Sequence, residues 1–208
     1  EKSIEKVVMG PEKKSRILNK EEKKITAYHE VGHAVVGHVL PGCDPVHKIS
    51  IISRGMALGV TWFLPEEDTH LNAKSKFEDE LCSLLGGYTC EEIFFGEMTT
   101  GASNDLEKAT KIARNMVTKY GMSDLGPIIF GDSNDEIFLG RDFGHIKNYS
   151  EESAAKIDEL VKKIIDKSHK RTKEIITKYK SLIVTIADEL IKKETINADE
   201  FKKYFAVA

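Results

Sequence analysis

Between Ile25 and Leu40 nearly every position around a 3.6-residue period carries Ala, Val, Ile, Tyr or Gly, which predicts a helix over residues 20 to 40 that is enclosed on most sides. Asn19 followed by Glu22 has the spacing of a capping box, and Pro41-Gly42 ends the run. Residues 46 to 53 and 58 to 64 are rich in β-branched and aromatic side chains around Arg54-Gly55-Met56-Ala57. They read as a β-hairpin stopped by Pro65. Phe77, Leu81, Leu84, Leu85, Tyr88 and Phe95 recur at helical spacing and predict one helix over residues 73 to 95, stopped at Gly96. Gly86-Gly87 inside it costs helix propensity and implies close packing against another backbone. The loop Thr99 to Asn104 opens a third helix, with Asn104 as its cap, Glu107 reaching back and Gly121 closing it; Asp105 then falls in the first turn. Residues 122 to 149, broken by Gly126-Pro127, Gly131, Gly140 and Gly144, read as irregular connection with brief strands. Ile157, Leu160, Val161, Ile164, Ile165, Ile175 and Ile176 mark a long amphipathic helix from Ser150 to Tyr179, and residues 182 to 193 mark another. Asn197 with Glu200 opens a last short helix ending near Tyr204. The fold class is mainly α with a small β-hairpin.

Length and charge narrow the picture. A chain of 208 residues suits one large domain, or a domain with an appendage, and can bury roughly 70% of its unfolded surface. Lys and Arg number 31 against 34 Asp and Glu, for a net charge of -3. There is no broad cationic field to gather phosphates, so no nucleic-acid partner is expected. No apolar run approaches the roughly 20 residues of a membrane-spanning helix, and the N-terminus lacks a secretion signal. The chain reads as soluble. It opens Glu1-Lys2-Ser3 without a Met, as a fragment of a longer protein with anchoring segments upstream would. Residues 1 to 9 suggest one short helix stopped by Gly10-Pro11, and Lys13, Lys14 and Arg16 mark a solvated connector, so residues 1 to 18 read as an incoming linker. Cys43, Cys82 and Cys90 are odd in number and form no CxxC pair. They fit small buried hydrophobes in a reducing compartment better than a disulfide framework or zinc knuckle.

The enclosed helix carries His29-Glu30-Val31-Gly32-His33, an HExxH pattern. One turn separates the two imidazoles, so they project from one face and can grip one zinc ion, with Glu30 beside them near a metal-bound water. At this composition the acidic form of the pattern is expected about 0.04 times by chance. The bland alternative is a satisfied pair of core histidines, yet two imidazoles and a carboxylate inside a core are costly without partners. A third ligand is needed. The extended HExxHxxGxxH signature requires Gly at position 36 and His at position 39, where this chain has Val36 and Val39. His38 lies about 140° round the helix from His33 and reads as packed or solvent-facing. Carboxylates remain. Asp105 gains from the helix N-terminus, though an ordinary helix-start aspartate would look the same. Glu91 and Glu92 are its rivals, though an exposed helical pair or a partner to a ligating histidine is the stronger reading of them than direct ligation. Glu66, Glu67 and Asp68 read as a solvated turn.

Tyr28 to Ala34, Leu40-Pro41-Gly42, Asp44 to Lys48, Leu84 to Gly87, Thr99 to Leu106, Tyr120 to Ser123 and Phe138 to Asp142 together resemble, in order, the peptidase domain of FtsH-type ATP-dependent zinc metalloproteases. Departures are mild: Cys90 stands where Ala is common, Tyr88 where Arg is common, and Val31 replaces a frequent Ala. The resemblance implies a HExxH zinc peptidase domain over residues 19–208, with a catalytic core at 19–149 and a helical C-terminal part at 150–208. It implies one zinc ion held by His29, His33 and Asp105, with Glu30 activating water, and leaves Glu91 or Glu92 as the alternative third ligand. Residues 1–18 would be the linker from an upstream AAA ATPase module that this chain lacks, so ATP enters only through that module. Unfolded polypeptides would be the substrates and a homo-hexamer the full-length assembly. That protein would sit at the cytoplasmic face of a membrane, in a bacterial inner membrane or its organellar equivalent, held by segments outside this chain. The rival reading from another class is a non-catalytic metal-binding helical assembly module.

Overall fold

Asn19 caps the first helix, α1 (Lys20–Val39): its side chain accepts from the Glu22 amide at 2.8 Å, and the Glu22 carboxylate accepts from the Asn19 amide at 3.0 Å. The computed structural model describes residues 19–53, 57–65, 71–131 and 149–206. The expected linker over 1–18, the turn residues Arg54, Gly55 and Met56, the acidic turn at Glu66 to Asp68, and the Phe138 to Asp142 block lie outside the described residues. So do the connection and brief strands expected over 132–148. From Thr26 to Gly37, α1 is buried at every position, as its all-round apolar pattern requires.

The hairpin forms as β1 (Val46–Ser50) and β2 (Val60–Phe63), antiparallel, with Ile49 opposite Thr61. The register slips between Val46 and Lys48, at His47, whose ring meets Trp62 edge-on at 4.9 Å. A third strand, β3 (Thr195–Asn197), pairs antiparallel with the other side of β1 in the order β2-β1-β3. Three residues are too few to show a period of two, so the sequence pattern did not predict it. Pairing leaves β2 at an edge of the sheet.

The helix expected over residues 73 to 95 is two helices, α2 (Lys74–Leu84) and α3 (Gly86–Phe95), broken at buried Leu85. Gly86 and Gly87 weaken the helix here, and their lack of side chains lets α3 press onto α1. A Cβ on Gly32 would stand 2.5 Å from the Gly86 carbonyl oxygen, and one on Gly86 would stand 2.7 Å from the Gly32 carbonyl oxygen. A single 3-10 turn, Thr100–Ala102, precedes α4 (Ser103–Thr118), and Thr99 caps that turn by accepting from the Gly101 amide. The predicted cap at Asn104 is therefore displaced: Asn104 lies inside α4, because the 3-10 turn already carries the chain into the helix. Asp105 does fall in the first turn.

Ser150 caps the long α5 (Glu151–Lys178), which is followed by α6 (Lys180–Lys193) and α7 (Ala198–Ala206). Two apolar cores result. One joins α1, the sheet, α6 and Phe201 of α7; the other lies between α2, α4 and α5. Helix α5 feeds both, placing Ile176 in the first and Ile157, Leu160 and Val161 in the second. His38 packs against Phe201 and Phe205, away from His29 and His33. Cys82 and Cys90 are buried and Cys43 is half-buried, all three as free thiols.

Candidate metal centre

One helical turn apart on α1, His29 and His33 bring their Nε2 atoms to 3.0 Å from one another. Asp105, from the first turn of α4, sets its Oδ2 atom 3.3 Å from His29 Nε2 and 3.4 Å from His33 Nε2. These three are the group of potential ligands found together among the described residues. The remaining ring nitrogens fix the tautomers. His33 Nδ1 donates to the carbonyl oxygen of Ser83 at 2.7 Å, and His29 Nδ1 donates to Glu91 Oε1 at 2.6 Å. With both Nδ1 atoms protonated, each neutral ring turns an Nε2 lone pair toward the Asp105 carboxylate. Three acceptors thus converge on one point with no donor among them. Such a point takes either a proton or a cation.

Protein groups alone answer with a proton. Burial would push His29 down, but hydrogen bonds to Asp105 and Glu91 outweigh it and raise its pKa to about 10. Burial would likewise raise Asp105, but His29 and His33 overcome it and hold the carboxyl well below the usual carboxylate range. A cation fits the same geometry. Ligand atoms in a tetrahedral zinc site, each about 2.0–2.1 Å from the ion, stand roughly 3.3 Å apart, which is close to the three separations seen here. Two nitrogens and one carboxylate oxygen are also the donor set of a catalytic rather than a closed structural site.

Glu91 does not join the three. It is buried to 1% exposure, and its two oxygens bridge different elements: Oε1 accepts from His29, while Oε2 accepts from the Thr99 amide at 2.5 Å in the loop that leads to Asp105. Those donors outweigh burial and hold its carboxyl below the usual range. Glu92, the other rival, faces α5, where it accepts from His169 at 3.0 Å and Lys173 at 2.8 Å. Two supporting contacts escaped the sequence reading. A backbone carbonyl such as Ser83's has no signature in residue identity. Gly87 had one, its place in the Gly pair, and its role is specific: a Cβ there would lie 2.4 Å from the His29 ring.

Glu30 is 7% exposed and lines the same cleft as the three acceptors. Burial raises its pKa, opposed by His29, His33 and a hydrogen bond from Thr61. An open cleft of about 950 Å³ runs over the site, walled by Leu58, Val60 and Phe63 on one side and Thr100, Asn104 and Lys108 on the other. No helix among the described residues is long and apolar enough to cross a membrane.

Comparison with known proteins gives one family throughout. The profile of peptidase family M41 matches residues 16–204. The ATP-dependent zinc metalloprotease FtsH of Thermotoga maritima is 51% identical over 205 residues, covering 98% of this chain and 34% of that protein. FtsH 1 of a Thermoanaerobacter species is 49% identical over 206 residues, covering 99% of this chain and 34% of its own. FtsH of Kosmotoga olearia is 50% identical over 210 residues, covering 100% and 33%. The chain spans about a third of the length of the curated relatives it matches.

Proposed function

The chain belongs to peptidase family M41, and from that membership we propose that His29, His33 and Asp105 hold one zinc ion with Glu30 as the proton carrier for peptide-bond hydrolysis. The convergence of three acceptor atoms, with both Nδ1 protons already committed elsewhere, carries this reading. When bound there, zinc supplies Lewis-acid polarisation and lowers the pKa of a water. The protein's own groups do the rest. Glu91 and the Ser83 carbonyl keep the two Nε2 lone pairs aimed inward. Glu30 takes the proton of the attacking water onto its carboxylate and later delivers it to the leaving amine. Its buried setting favours that role, because a carboxylate made more basic accepts a proton more readily near neutral pH.

The cleft supports an extended substrate laid along β2, whose outer edge has no strand beside it among the described residues. Strand addition satisfies backbone groups regardless of side chains, which suits unfolded polypeptides of varied sequence. In the longer protein this domain would receive chains from an upstream AAA ATPase module within a homo-hexamer, at the cytoplasmic face of a membrane; the relatives' ATP-dependent character and threefold greater length support that setting.

Zinc content and casein cleavage, measured together, test the site. Wild type and Glu30→Gln are expected to hold one zinc each while cleavage falls roughly 10²- to 10⁴-fold in the variant. Asp105→Asn is expected to lose zinc and Glu92→Gln to keep it. Undiminished cleavage by Glu30→Gln would leave the non-catalytic assembly module as the better reading, and full zinc in Asp105→Asn would remove that residue from the site.

A further inference from the structure

The hydrogen bond that holds the Glu30 side chain comes from the sheet and not from its own helix. Thr61, on edge strand β2, donates from its hydroxyl to Glu30 Oε2 at 2.7 Å and lies 2.8 Å from the Glu30 carbonyl oxygen. The other carboxylate oxygen is confined by the same segment of chain. A Cβ on Gly59, one residue before β2, would stand 2.6 Å from Glu30 Oε1 and 2.8 Å from its Cγ. The carboxylate is therefore held by Thr61 on one oxygen, while the other occupies the space that the missing side chain of Gly59 leaves, and both residues belong to the wall of the cleft.

The geometry points to Thr61 as a positioning residue that aims the Glu30 carboxylate, with Gly59 as the gap that admits it. This inference rests on the reading of Glu30 as proton carrier and adds to it where the alignment comes from. The strand at the edge of the sheet among the described residues, where an extended peptide would add, is the strand that orients the base, so a shift of β2 on peptide docking would move the acceptor oxygen with it. An error of about 1 Å in such a group can cost on the order of 100-fold in rate, which is why the source of the alignment matters.

Thr61→Val keeps the shape and removes the donor; Thr61→Ser keeps the donor. With a fluorogenic peptide and the intact protease supplied with ATP, Thr61→Val is expected to lower kcat roughly 10- to 100-fold, with KM and zinc content unchanged. Thr61→Ser is expected to restore kcat to within about threefold of wild type. Gly59→Ala is expected to lower kcat as well, since the flexible tip of Glu30 must yield its place. A zinc-loaded crystal structure of Thr61→Val in the 208-residue chain supplies a reading independent of activity: the Glu30 carboxylate is expected to leave its wild-type position. Wild-type kcat in Thr61→Val, equal damage in Thr61→Ser, loss of zinc in Thr61→Val, or an unmoved carboxylate would each overturn the inference. Glu30→Gln separates the two levels. If that variant cleaves normally, the underlying reading falls; if it is dead while Thr61→Val is fully active, only the role of Thr61 falls.

Discussion

At the scale of single residues, the site is a set of groups whose protons have been assigned by their outer partners. Glu91 is the group on which this depends most, because it serves His29 and the Thr99 loop at once. Glu91→Gln is expected to weaken zinc binding by about 10- to 100-fold, measured by competition with a chromogenic chelator; an unchanged affinity would show that the carboxylate charge contributes nothing to the ligand. At the proposed centre a proton and zinc would also compete for one place. In the zinc-free protein the His29 pKa of about 10 lies above its ordinary 6.5. Its charge therefore stabilises the fold fully below pH 6.5, and that contribution is lost as pH rises through 10. With zinc held as proposed, the ring would be bound neutral and would have no such proton to lose. Thermal melts of the two forms from pH 6.5 to 10 should diverge, the zinc-free form falling more steeply; parallel curves would contradict the assignment.

At the scale of elements, the site exists because two helices touch backbone to backbone. Gly32 on α1 meets Gly86 on α3, and Gly87 makes room for the His29 ring. Gly87→Ala is expected to cost about 1–3 kcal/mol in stability through overpacking and to lower zinc occupancy, whereas Gly96→Ala, beside open space but at positive φ, should cost stability alone. Urea unfolding and zinc analysis on both variants make the comparison, and equal occupancy in the two would deny Gly87 its special place. The Gly pair was visible in the sequence as a propensity defect; that it splits the expected helix at Leu85 was not, since one residue leaving the helical ladder does not disturb the apolar period on either side. Helix α1 and the long α5 were legible because their patterns run for many residues behind side-chain N-caps at Asn19 and Ser150, and the hairpin because two β-branched, aromatic-rich runs flank one short turn. The HExxH pair was legible by spacing alone. Asp105 was legible by spacing only as one candidate among three, because the approach of a side chain from a distant element leaves no local trace. Thr61 and the Ser83 carbonyl were not legible at all, their roles being set by tertiary approach.

At the scale of the whole molecule, the C-terminal helices share their cores with the elements that carry the site. Phe201 is fully buried beneath α1 and the sheet, with His38 and Phe205 around it. Phe201→Ala is expected to destabilise the chain by about 3–5 kcal/mol, read as a lowered urea midpoint; a midpoint equal to wild type would mean that α7 merely rests on the surface. The small sheet extends the same dependence. Ser50 on β1 bonds to Glu194 across 144 positions of sequence, and β3 follows directly after it. A lone two-stranded hairpin is marginal in water, so a nascent chain stopped before Thr195 lacks the brace behind its cleft wall. Loss of that brace loosens β2, so the C-terminal segment reaches the site at second hand, through the strand that steadies its wall.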